Sequence, residues 1–234
     1  MKKFIIPIIA LLIGVGSVFM LLQLSNTYST LSEGEPVSTP PSAIMADPTT
    51  LGRIVNVKMD TSMGEVMLEL YPDKAPDSVK NFLDYANTGS YDGTIFHRII
   101  KGFMNQGGGY TTEYVKKETG QPISNEAFNG LKNLRGTIAM ARTSAPHSAT
   151  SQFFINTADN AMLDHTAKTM RGWGYAVFGK VTYGMDVMDN MANVQTGSGG
   201  PFQTDAPQKQ IIIMKVSEVK TSNEITSTAP LANE

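Results

Sequence analysis

Cysteine is absent from all 234 residues. Disulfides, thiolate nucleophiles, zinc–thiolate sites, iron–sulfur clusters and a lipid-modified N-terminal cysteine are thereby excluded. The compartment stays open, because a chain without thiols suits oxidising and reducing surroundings alike. A surplus of either charge is missing too: 19 basic against 21 acidic residues give a net charge of −2. Nucleic-acid binding draws on a basic surface that displaces counterions, so no such partner is expected. Histidine occurs only as His97, His147 and His165, with no HExxH or HxH spacing, so no metal site is expected. No serine stands in a GxSxG elbow. A Ser/His/Asp set drawn from distant residues stays open, though nothing points to one. The glycine run at 107–109 fits neither GxxxxGK[ST] nor GxGxxG and reads as a tight turn. If this chain is an enzyme, its chemistry is expected to need no covalent nucleophile, metal or cofactor. What it does have is a 41% hydrophobic complement, enough for a packed core.

The hydrophobic residues are unevenly spread. Lys2 and Lys3 precede an uncharged run from Phe4 to Leu24. As a helix this run would span about 31 Å, close to the thickness of a bilayer core. The lysines favour an orientation with the N-terminus inside. The run is longer than the apolar region of a cleaved signal peptide, and Thr27 and Ser29 make a poor cleavage site. Residues 1–24 are therefore expected to be a signal anchor, a single transmembrane helix in the inner (cytoplasmic) membrane. The rest would then lie on the periplasmic or extracytoplasmic side; the alternative is cleavage and a soluble periplasmic protein. Residues 25–52 are polar and hold Pro36, Pro40, Pro41 and Pro48, the composition of an unfolded spacer. Residues 221–234 read as a polar tail, and no internal repeat is visible.

One domain remains, about Arg53 to Lys220, with 17 basic and 16 acidic residues. Val66, Leu68 and Leu70 alternate with Glu65, Met67 and Glu69, the pattern of a half-buried strand, and Asp60 to Gly64 supplies a turn after IVNVKM. Pro76 opens a helix whose apolar stripe is Val79, Phe82, Leu83 and Ala86, with Gly89 as its stop. TIFHRII, GFMNQG, GTIAMA, SQFFIN, YAVFGKV and IIIMKVSEV are strand-like, and a short helix is expected around Met185 to Met191. Many short strands with two helices suggest a mainly β fold, a closed or sandwiched sheet.

FHRIIKGFMNQGGG, GTIAMARTSAPHSATSQFFIN and YAVFGKVTYGMDVMD carry a resemblance that no single short motif would. In order and spacing the whole of Arg53 to Lys220 resembles a cyclophilin, a peptidyl-prolyl cis–trans isomerase, and AMART…SATSQFFIN resembles bacterial members. The resemblance implies an all-β, closed eight-stranded antiparallel barrel capped by two α-helices, no cofactor, and proline-containing polypeptides as partners of a monomer. It implies that Arg98 is the catalytic arginine, acting with Gln106, which hydrogen-bonds the substrate backbone, and Phe103. Phe103, Met104, Phe154 and Leu163 match the positions that hold the proline ring. Ala141 and Gln152 match further backbone-binding positions, and His97 a neighbouring position of lower rank.

Three positions depart from the pattern. Met162 stands where many eukaryotic members have a tryptophan that helps bind cyclosporin, so no sensitivity to that drug is inferred; methionine still keeps an apolar wall. Tyr175 replaces a histidine and can keep a flat contact. Arg142 replaces an asparagine that contacts through its backbone. A proline-recognising binding module using the same pocket without turnover is the rival reading.

Overall fold

The computed structural model describes residues 52–219. The expected anchor at 1–24, the spacer up to residue 51 and the tail at 221–234 lie outside the described residues. Among the described residues no helix is long and apolar enough to cross a membrane.

Two-residue alternation builds the first hairpin. In β1 (Val55–Thr61) and β2 (Gly64–Leu70), Val55, Val57, Met59, Val66, Leu68 and Leu70 are buried, and the strands pair directly, Val57 opposite Leu68. Further short runs form β3 (Thr94–Ile100), β4 (Met104–Thr111), β5 (Thr137–Met140), β6 (Phe153–Asn156), β7 (Val177–Tyr183) and, beyond a hairpin, β10 (Ile212–Glu218). These eight strands close into an antiparallel barrel in the ring order β1, β10, β3, β4, β6, β5, β7, β2. Closure pairs both sides of every strand and leaves no open edge.

The hairpin is β8 (Thr196–Gly199) and β9 (Phe202–Pro207), a separate two-stranded sheet beside β3 that the strand patterns did not predict. The glycine run also departs from expectation. Gly107, Gly108 and Gly109 lie inside β4 rather than in a turn. A Cβ on Gly108 would come within 2.9 Å of the Phe153 ring, and one on Gly109 within 2.5 Å of the Gln152 side chain. Glycine is needed there because side chains cross the strand at contact distance.

Two helices pack their buried faces onto the barrel core. α1 (Pro76–Asn87) buries Val79, Phe82 and Ala86, with Leu83 packed at the margin, and Gly89 follows it at φ +67°. Phe82 meets Tyr91, Phe178 and Phe153 at ring-centroid distances of 5.0, 5.4 and 5.5 Å. Truncating so buried a ring would cost roughly 3–5 kcal/mol. α2 (Met185–Ala192) buries Met188 and Met191 in the same core, and the Asn105 amide on β4 donates to the Met188 carbonyl at 2.8 Å. No side chain of α1 caps its own start. Instead the Glu126 carboxylate accepts from the Asp77 and Ser78 N–H groups and the Ser78 hydroxyl at 3.0, 2.8 and 2.7 Å. It satisfies donors that a helix start leaves unpaired and places negative charge at the positive end of the helix dipole.

Candidate active site

The outer wall of the barrel carries an apolar cluster separate from the interior. Along β6, Phe153 and Ile155 join the core, while Phe154 faces out with Met104, Ala139 and Val177. Cross-strand pairing aligns one row over five strands: Arg98 opposite Gln106, Gln106 opposite Phe154, Phe154 opposite Ala139, and Ala139 opposite Val177. Strict alternation along β3 would send Arg98 inward together with Phe96. A register shift between these two residues prevents it. Phe96 and Ile99 both point into the core, and the pair between them, His97 and Arg98, faces out. A bulge can re-aim a side chain in this way.

Above the row lies a cavity of about 100 Å³ lined by Arg98, Gln106, Met104 and Phe154 from the strands, with Ala141 and Arg142 beyond β5. Phe103 enters from the β3–β4 turn, Leu163 from a 3₁₀ turn (Ala161–Leu163), and Tyr175 from just before β7. The Tyr175 ring meets Phe154 edge-on at 5.6 Å. Three buried asparagines hold these loop-borne walls. Asn160 donates to the Phe103 carbonyl at 2.8 Å and to Asn156 at 2.7 Å. Asn156 donates to Asn133 at 3.2 Å, and Asn133 to the carbonyls of Leu163 and Tyr175 at 3.2 and 3.3 Å. The walls are thus fixed by a connected network of side-chain amides.

Arg98 Nε donates to the Asp205 carboxylate on β9 at 3.4 Å. Both side chains are partly exposed, so this pair orients more than it stabilises. Gln106 donates to the Gln152 side chain at 2.9 Å, and the Ala141 N–H to the Gln152 carbonyl at 2.9 Å. Gln106, Ala141 and Gln152 also line an adjoining cavity of about 220 Å³, together with Arg142 and Lys116. A third, open hollow of about 630 Å³ continues past Tyr175 along Arg142, Met170 and Arg171. The groove therefore offers an apolar socket flanked by a guanidinium and by amide donors and acceptors. Among the described residues no cluster of three or more histidines and carboxylates could hold a metal.

Gln152 lines the adjoining cavity rather than the socket, and two of the expected residues line none of the three. Met162 is 77% exposed on the 3₁₀ turn. His97 is 1% exposed, stacked on Phe202 at 5.2 Å and tilted against Tyr110 at 4.8 Å. Burial, more than the neighbouring Arg98 charge, pulls its pKa down to about 4. Sequence reasoning left Asp205 and the three asparagines out of the site and gave Arg142 no side-chain role.

A family model for cyclophilin type peptidyl-prolyl cis-trans isomerases matches residues 56–218. The chain belongs to the cyclophilin family of peptidyl-prolyl cis–trans isomerases. Similar bacterial cyclophilins include peptidyl-prolyl cis-trans isomerase A of Dickeya dadantii, 56% identical over 70% of this chain and 85% of that protein. Peptidyl-prolyl cis-trans isomerase B of Escherichia coli is 53% identical over 69% of this chain and 98% of its own length. The barrel and two helices match a crystal structure of a cyclophilin from Cryptosporidium parvum at a TM-score of 0.59 and 28% identity, covering 72% of this chain and 99% of that one. The same protein has been solved in the presence of the dipeptide Ala-Pro, at a TM-score of 0.58 and 28% identity.

Proposed function

We propose that this cyclophilin accelerates rotation about Xaa-Pro bonds in unfolded or flexible polypeptides by a non-covalent mechanism centred on Arg98. The observation that carries the reading is the Arg98 guanidinium on the wall of an apolar socket, one strand from Gln106. Rotation must break amide resonance, against a barrier of about 18–20 kcal/mol. In the twisted state the prolyl nitrogen regains a lone pair. A guanidinium directed at that nitrogen binds the twisted state better than either planar one, which is differential binding of a transition state. The socket of Phe103, Met104, Phe154 and Leu163 would seat the pyrrolidine ring; its low polarity favours the twisted imide, whose charge separation is smaller. Gln106, Ala141 and Gln152 would hold the substrate backbone. The Ala-Pro dipeptide present with the related Cryptosporidium protein supports a proline-containing ligand.

The test is the cis-to-trans rate of a short Xaa-Pro peptide with the full chain in mild detergent, compared with Arg98→Ala. Turnover should fall about 10²–10³-fold, by analogy with the loss of one oxyanion donor, while peptide binding falls much less. Equal losses in binding and turnover would overturn the mechanism, and a wild-type chain that binds without turnover would be a recognition module.

A role in assisted folding outside the cytoplasm follows from the same reading. The uncharged run from Phe4 to Leu24 behind Lys2 and Lys3 supports a membrane anchor, and the proline-bearing spacer would let the domain reorient above the surface. Carbonate extraction of membranes should leave the protein in the pellet; release into the soluble fraction would refute the anchor.

A further inference from the structure

We infer that Arg142 makes the groove selective for polypeptides with an acidic side chain beside the proline, an inference resting on the isomerase reading above. Arg142 lines all three cavities, and no other residue does. Together the three present four cations, Arg98, Arg142, Arg171 and Lys116, and no carboxylate lines them. The domain as a whole is almost neutral, with 17 basic and 16 acidic residues from 53 to 220, so the positive field belongs to the groove.

Most surface arginines are solvated, mobile and energetically idle. Arg142 is held. Its Nε donates to the Gly174 carbonyl at 2.9 Å, and Nη1 to the carbonyls of Thr143 and Ser144 at 2.9 and 3.3 Å. Its guanidinium lies over the Tyr175 ring, 4.5 Å from the centroid. All of these partners are neutral. Among the described residues Arg98 is the one member of the four that forms an ion pair, with Asp205. The charge of Arg142 is therefore fixed in place and uncompensated, with much of the ordering entropy of a new pair already spent. A residue next to a proline seated in the socket enters one of the two cavities that Arg142 shares with it. A carboxylate there gains an ion pair, and an ammonium meets repulsion.

The full chain is assayed on neutral Ala-Ala-Pro-Ala peptides and on versions with one Glu or one Lys placed on either side of proline, with exchange followed by NMR. At low ionic strength kcat/KM for Glu should exceed that for Lys about fivefold on at least one side, a ratio in the range of exposed ion pairs. It should shrink toward unity above about 0.5 M salt. Arg142→Gln should bring the ratio near one, and Arg142→Lys, which keeps the charge but loses the bonds to Gly174, Thr143 and Ser144, should retain part of it. A wild-type ratio of one on both sides, or an undiminished ratio in Arg142→Gln, overturns the inference while leaving the isomerase reading intact. No acceleration of the neutral peptide overturns both. Should Arg142→Gln fail to fold, as seen by circular dichroism, the salt series and Arg142→Lys decide: a salt-independent preference, or one lost in Arg142→Lys, overturns it.

Discussion

Arg98 and His97 are adjacent in the chain, face out through the same bulge, and meet opposite surroundings. Arg98 opens onto the socket, whereas His97 is sealed under Phe202 and Tyr110. Burial holds the His97 pKa at about 4 instead of the ordinary 6.5, so the folded protein carries it neutral at physiological pH. Between these values the unfolded chain binds a proton that the folded chain refuses. The stability associated with the neutral ring is thus complete above about pH 6.5 and is lost as pH falls toward 4. The loss is on the order of 3 kcal/mol, from the shift to about 4. Urea unfolding at pH 7 and pH 4 should show it, and His97→Gln should lack this part of the acid sensitivity. An unchanged pH dependence in the variant would contradict the assignment. Arg98, Phe103, Gln106 and Phe154 were legible because FHRIIKGFMNQGGG and TSQFFIN carry the family resemblance in order. Asn133, Asn156 and Asn160 were not: an asparagine gives no periodic signal, and its partners are carbonyls that only the tertiary fold brings near.

At the scale of elements, text for all eight barrel strands and both helices was legible, β2 and α1 by apolar periodicity and the rest as short strand-like or helix-like runs, with β4 read only as GFMNQG and its glycine run as a turn. The hairpin of β8 and β9 was not. TGSG and FQTDAP have no apolar alternation, and their order comes from packing on β3, where Phe202 covers His97 and Asp205 reaches Arg98. The start of α1 depends on tertiary structure in the same way, since its cap arrives from Glu126, 48 residues beyond Ser78. Glu126→Ala would strand two helix N–H groups and a buried hydroxyl. It should destabilise the domain by about 2 kcal/mol in urea denaturation. A change under about 0.5 kcal/mol would mean that solvent replaces the carboxylate without loss.

On the scale of the whole molecule, one wall separates two apolar assemblies: the interior core and the outer cluster under the socket. On the proposed mechanism the interior sets stability and the exterior sets the chemistry, so substitutions of outward residues such as Phe103 should change turnover in the Xaa-Pro assay more than unfolding in urea. β10 is the last strand of the ring and joins β1 to β3, with Val57 opposite Glu218. Every residue lining the socket, and Asp205 beside it, precedes Ile212 in the chain. A chain ending at Lys209 should therefore lose its near-ultraviolet circular dichroism and its cooperative melting; retention of both would show that seven strands suffice. Synthesis runs from the N-terminus, and the ring cannot close until its final segment has been made. During translation the nascent domain carries a complete set of site residues before the scaffold that aligns them is finished.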